Sequence, residues 1–60
     1  MAEATGVRVT APDGTDRTYL SARQVTRDGN GDFELRASDG SIVAIRRRSS
    51  VEEIEVIFAT

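Results

Sequence analysis

Apolar and polar residues alternate in short runs along this chain, and each run stops at a turn-forming dipeptide, the pattern of strands joined by tight turns. In residues 7–11, Val7, Val9 and Ala11 alternate with Arg8 and Thr10, and Pro12-Asp13-Gly14 follows. That predicts a first strand and a hairpin turn. Residues 15–20 (TDRTYL) are rich in Thr and Tyr, which suits a return strand. Residues 28–32 (DGNGD) form the densest turn segment, with Asn30-Gly31 suited to positive φ. Beyond it, Phe33, Leu35 and Ala37 alternate with Glu34 and Arg36, and Asp39-Gly40 turns the chain into residues 41–47 (SIVAIRR). Residues 54–58 (IEVIF) make a fifth strand with Ile54, Val56 and Phe58 on one face.

Two segments break the alternation and carry helix-start chemistry. Ser21-Ala22-Arg23-Gln24 fits a capping box, and Ser49-Ser50-Val51-Glu52-Glu53 offers one twice. Each has room for one turn, so one or two 3₁₀ segments are expected rather than helices. An offset of 26 residues lays Val7, Val9, Ala11, Asp13, Gly14, Thr15, Tyr19 and Val25 on Phe33, Leu35, Ala37, Asp39, Gly40, Ser41, Ile45 and Val51. Each half then reads strand, Asp-Gly turn, strand, capped turn. Any two hairpins with Asp-Gly turns align in part, so the sequence leaves open whether this is a repeat.

Strict alternation predicts a core of Val7, Val9, Tyr19 or Leu20, Val25, Phe33, Leu35, Val43, Ile45, Val51, Ile54, Val56 and Phe58. Residues 1–6 are expected as a disordered tail, and residues 7–60 as a single domain. Alternation leaves Ile42, Ala44 and Ile57 on the opposite face of their strands, where apolar side chains mark a contact surface.

The stretch from Gly40 through Arg46-Arg47-Arg48, Ser49-Ser50 and Val51-Glu52-Glu53 to Ile57 resembles the closing third of SH3-like and Sm-like small barrels. The resemblance implies a five-stranded antiparallel SH3-like barrel or roll, all-β, with Ser49 to Glu53 as the single turn before a closing strand. The family's functional residues do not carry over. With no Trp and one Tyr, the chain lacks the aromatic groove that grips polyproline peptides, and it lacks the acidic, Gly-containing signature with which Sm proteins hold uridine.

Composition narrows the chemistry. The chain has 60 residues with no Cys and no His, which removes thiol nucleophiles, imidazole bases, disulfides and the usual zinc ligands. A domain this small buries only about 60% of the surface its unfolded chain exposes, so a partner subunit is a natural staple. It also leaves little room for a ligand cavity, and neither enzyme activity, a cofactor nor a small-molecule substrate is expected. Asp28, Asn30 and Asp32 mimic half a calcium loop, but Phe33 stands where that loop needs Gly. The opening MAEATG has no basic, apolar signal pattern, and no run approaches the length of a membrane span, so a cytoplasmic protein without membrane contact is expected.

All eight basic residues are Arg, against ten acidic ones. Three of the eight are consecutive, Arg46-Arg47-Arg48, on a strand whose two faces would both carry guanidinium groups, with Arg8, Arg23 and Arg36 as extensions if they share a face. Glu52, Glu53 and Glu55 are the acids expected to neutralise them. Two functions follow. The first is a non-enzymatic, accessory or regulatory module acting through protein–protein contact, including homo-oligomers, at Ile42, Ala44 and Ile57. The second is a nucleic-acid-binding barrel using Arg46, Arg47 and Arg48.

Overall fold

The computed structural model describes residues 3–59. It holds six strands, β1 (Ala4–Thr10), β2 (Asp16–Tyr19), β3 (Gln24–Arg27), β4 (Phe33–Arg36), β5 (Ile42–Arg46) and β6 (Glu53–Phe58), and one 3₁₀ turn at Arg48–Ser50. They form two three-stranded antiparallel sheets, ordered β2-β1-β6 and β3-β4-β5. The class is therefore all-β, with six strands where five were expected.

The sixth strand is β3, in the segment whose capping box predicted a turn. Ser21 and Gln24 do not open a helix; Arg23 N–H instead bonds the Arg36 carbonyl at 2.7 Å and leads straight into pairing with β4. The chain leaves the first sheet at Tyr19, turns through residues 20–23, and enters the second at Gln24. The other capped segment does make a single 3₁₀ turn, starting at Arg48, without a side-chain cap. At the amino end, β1 begins at Ala4, so part of the segment expected as a tail pairs with β6, while Met1 and Ala2 lie outside the described residues.

Between the sheets, Val7 and Val9 meet Leu35, with Ala22 from the link between β2 and β3; these are the fully buried apolar residues among those described. Tyr19, Val25, Val43, Ala44, Val51, Ile54 and Val56 pack round them, half-buried. Three expected core residues lie outside. Tyr19 takes the interior, so Leu20 is 73% exposed. Phe58, at 56%, stands opposite Ala4, beyond the stretch of β1 that β2 covers. Ile45, at 57%, is turned out by a bulge in β5.

That bulge has a simple cause. Arg36 pairs with Ile42 but Leu35 pairs with Ala44, so Val43 is an extra residue and the alternation restarts after it. Ala44, expected outside, packs against the core, and Ile45 beside Glu34 faces solvent. A second bulge, at Thr5 in β1, sits beside Gly6, which is buried opposite Ile57. A Cβ on Gly6 would lie 3.2 Å from the Tyr19 carbonyl oxygen, so glycine lets β2 leave the sheet close against β1.

The offset of 26 is structural. Adding it carries the β1–β2 hairpin onto the β4–β5 hairpin, and their turns are the same object. Gly14 and Gly40 have φ of 91° and 89°, and each donates its N–H to Ala11 or Ala37 at 2.9 Å. Thr15 and Ser41 each give a backbone N–H at 2.9 Å and a hydroxyl at 2.6 Å to Asp13 and Asp39. Those hydroxyls first, and the N–H groups next, hold both carboxyls below the usual range. The third strand of each half crosses over: β6 pairs with β1, and β3 with β4. The halves thus repeat one topology, each lending its third strand to the other's sheet, and the second is longer by Val43 and by the link that contains the 3₁₀ turn.

Candidate functional site

The three consecutive arginines diverge. Strand β5 ends at Arg46, and the backbone then enters the 3₁₀ turn, so the expected strand with guanidinium groups on both faces does not form. Arg47 precedes the turn and is exposed; its carbonyl accepts from the Ser50 N–H at 3.0 Å and the Ser50 hydroxyl at 2.9 Å. The Arg48 N–H donates to Asp32 Oδ1 at 3.1 Å.

Arg46 stays on the interior face of β5, two residues past Ala44, and directly opposite Phe33. Phe33 is opposite Arg27 on its other side. The second sheet therefore carries a row Arg27–Phe33–Arg46 on one face. The guanidinium of Arg27 lies 4.7 Å from the Phe33 ring centre, inside cation–π range. Its orientation is fixed by bonds from Nη2 (2.9 Å) and Nε (3.3 Å) to the Gly31 carbonyl. A Cβ on Gly31 would meet Arg27 Nη2 at 3.5 Å and Arg48 Nη1 at 3.7 Å, so both guanidinium groups close over that glycine.

The first sheet contributes a matching pair. Arg17 and Tyr19 are two apart on β2 and share a face, and the Arg17 guanidinium lies 5.2 Å from the Tyr19 ring centre. Arg46 joins the pairs, its Nη1 reaching the Tyr19 hydroxyl at 3.5 Å, while its Nε is buried without a hydrogen-bond partner. Both rings are half-buried.

Among the described residues, no carboxylate offsets this group at salt-bridge distance. Among the described residues the ion pairs are Arg8 with Glu55, on the outer face of the first sheet, and Arg36 with Glu34, on the outer face of the second. Glu34 also accepts from Thr26 at 3.1 Å, and Arg36 donates to Thr26 at 3.1 Å and to the Gly40 carbonyl at 2.7 Å. Arg8 and Arg36 therefore do not extend the cluster. Arg23 is engaged with the Leu20 and Ala22 carbonyls. The acids expected to neutralise Arg46, Arg47 and Arg48 are directed elsewhere or make no such pair.

The candidate protein interface is dispersed. Ile42, 46% exposed, lies on the outer face of edge strand β5; Ala44 points inward; Ile57 is half-buried in β6 of the other sheet. The apolar neighbour of Ile42 on that outer face is Ile45, turned out by the bulge.

The DGNGD segment is a capped turn. Asp28 Oδ1 accepts from Asn30 and Asp32 N–H at 2.8 and 3.0 Å, and Gly31 alone takes positive φ there, at 83°. Among the described residues, no three Asp or Glu side chains gather as a metal site requires. None of their helices is long and apolar enough to cross a membrane. A depression lined by Glu3, Ala4, Arg23 and Ser38 offers one carboxylate and one guanidinium.

Sequence reasoning missed Arg17, Arg27, Tyr19 and Phe33 as site residues. Arg17-Thr18-Tyr19 shows its spacing in sequence; Arg27 meets Phe33 only through the β3–β4 register. No protein-family model, curated protein or solved structure matches this chain.

Proposed function

We propose that this chain is a non-enzymatic module that binds nucleic acid at the arginine–aromatic end of its two sheets. The observation that carries the reading is the row Arg27–Phe33–Arg46 facing Arg17 and Tyr19, with no carboxylate within 4 Å of those guanidinium groups among the described residues. Guanidinium groups bind phosphate oxygens by paired N–H donors, and here three of them, Arg17, Arg27 and Arg46, converge although net charge is −2. The finer reading of the architecture is an SH3-like roll. Two features support it: the last strand pairs with the first after a 3₁₀ turn, and the 16–27 segment bends from one sheet to the other. Cytoplasmic residence belongs to the same reading.

The test is a salt titration of binding to labelled DNA and RNA. Three phosphate contacts predict that log affinity falls against log salt with a slope of about −2 to −3. Replacing the exposed Arg17 and Arg27 together by Ala should weaken binding at least about tenfold and flatten that slope. No binding at low salt would end the proposal.

A second reading, accessory or regulatory protein–protein contact including self-association, is favoured by Ile42 and Ile45 side by side on an unpaired strand edge. Light scattering on a sizing column separates the two. Self-association predicts a mass above the monomer that Ile45→Glu reduces; a monomer at high micromolar concentration removes this reading.

A further inference from the structure

Resting on the nucleic-acid reading, we infer that the ligand is single-stranded and that its bases stack in the site over Tyr19 and Phe33. A site for phosphate alone needs charge and reach, and has no use for rings. Here two of the three aromatic side chains in the whole chain, Tyr19 and Phe33, are each covered by a flat guanidinium, at 5.2 and 4.7 Å. Tyr19 packs against the rim of the core and both rings are half-buried, so each keeps part of its surface in the site.

The geometry is that of a stacking surface. Neighbouring strands stand about 4.8 Å apart, so Arg27 and Arg46 flank Phe33 across a row about 10 Å wide. Arg27 is oriented by two bonds to the Gly31 carbonyl, and Arg46 Nη1 reaches the Tyr19 hydroxyl. A guanidinium lying on a ring presents its other face, a planar cation on which an unpaired base stacks while the N–H edge reaches the flanking phosphate. A duplex keeps its base faces inside and offers this surface only phosphates. Stacking accepts any base, so DNA and RNA strands both qualify.

The chain supplies its own probe. Tyr19 is the one Tyr and there is no Trp, so intrinsic emission reports this site alone. The ligands are oligo(dT), oligo(rU), a blunt duplex hairpin and inorganic polyphosphate, at one low salt concentration. The single strands should quench Tyr19 emission and bind at least about tenfold tighter than the hairpin or polyphosphate. Phe33→Leu should cost about tenfold in single-strand affinity without changing the salt slope. Because that variant trims a half-buried ring, Arg27→Lys is its companion on an exposed residue. It keeps the charge, loses the plane, and should weaken single strands by a several-fold larger factor than polyphosphate; an equal loss for both would count against stacking. Equal affinity for all four ligands with unchanged Tyr19 emission would overturn base stacking and leave the polyanion reading standing. Absence of binding to every ligand would overturn both.

Discussion

Arg46 reaches the hydroxyl of Tyr19 from the place in the second hairpin that Tyr19 itself holds in the first: Tyr19 stands opposite Val7, and Arg46 opposite Phe33. The two counterparts differ in kind, one an aromatic ring and the other a guanidinium, so the repeat is broken at this end of the molecule.

The break costs stability. Arg46 keeps a buried Nε–H with no acceptor, a defect that costs about 1–3 kcal/mol in folded proteins. Arg46→Met, similar in shape and apolar, should therefore raise the unfolding free energy by about 1 kcal/mol in urea titrations while weakening polyanion binding. A loss of stability in that variant would show that the guanidinium is compensated.

Leu35 is the largest of the three side chains, with Val7 and Ala22, that are buried without remainder. Leu35→Ala should cost about 3–5 kcal/mol. A domain of this size has about 3–9 kcal/mol in total, so the expected outcome is loss of the cooperative thermal transition at 37 °C or below, followed by circular dichroism.

Gly6 carries a different constraint. A methyl there would press on the Tyr19 carbonyl at 3.2 Å, with the Leu20 Cα at 3.6 Å, both backbone atoms that cannot swing aside. Gly6→Ala should destabilise by about 1–3 kcal/mol, whereas Gly29→Ala, with open space around it and no positive φ, should change stability by less than about 1 kcal/mol. Chemical denaturation of the two variants side by side gives the comparison.

The twin turns set an acid limit. Asp13 and Asp39 have folded pKa values below the unfolded ones, because the Thr15 and Ser41 hydroxyls and N–H groups favour the carboxylate. Their contribution is present above the unfolded value of about 3.9 and is lost as pH falls through the lower folded values. Nuclear magnetic resonance titration should find both carboxyls below the ordinary range, and Asp13→Asn with Asp39→Asn should flatten the fall in stability below about pH 4.

Much of the fold was legible in the sequence because turn chemistry is local. Asp13-Gly14 and Asp39-Gly40 placed both hairpins, and Ser49-Ser50 marked the 3₁₀ turn to within one residue. What escaped depended on register. Nothing local announces that Val43 is an extra residue, yet it decides that Ala44 goes in and Ile45 out. Gln24 to Arg27 has only Val25 as an apolar anchor, and it becomes a strand because β4 offers an edge. The site suffered most: three arginines adjacent in sequence part company, and Arg17, Arg27 and Arg46, scattered along the chain, meet two aromatic rings.

Were Val43 paired with Leu35 instead of bulged, the register set where Arg36 meets Ile42 would run on unbroken, Ile45 would stand opposite Phe33, and Arg46 would be carried past the row to face solvent. The two hairpins would then be near copies, each sealed at this end by an apolar or aromatic side chain. One bulge thus separates a duplicated scaffold from a specialised one, and it does so without altering either turn. For a chain this short, a bulge inside one strand re-aims every side chain beyond it, and so changes a whole surface at once.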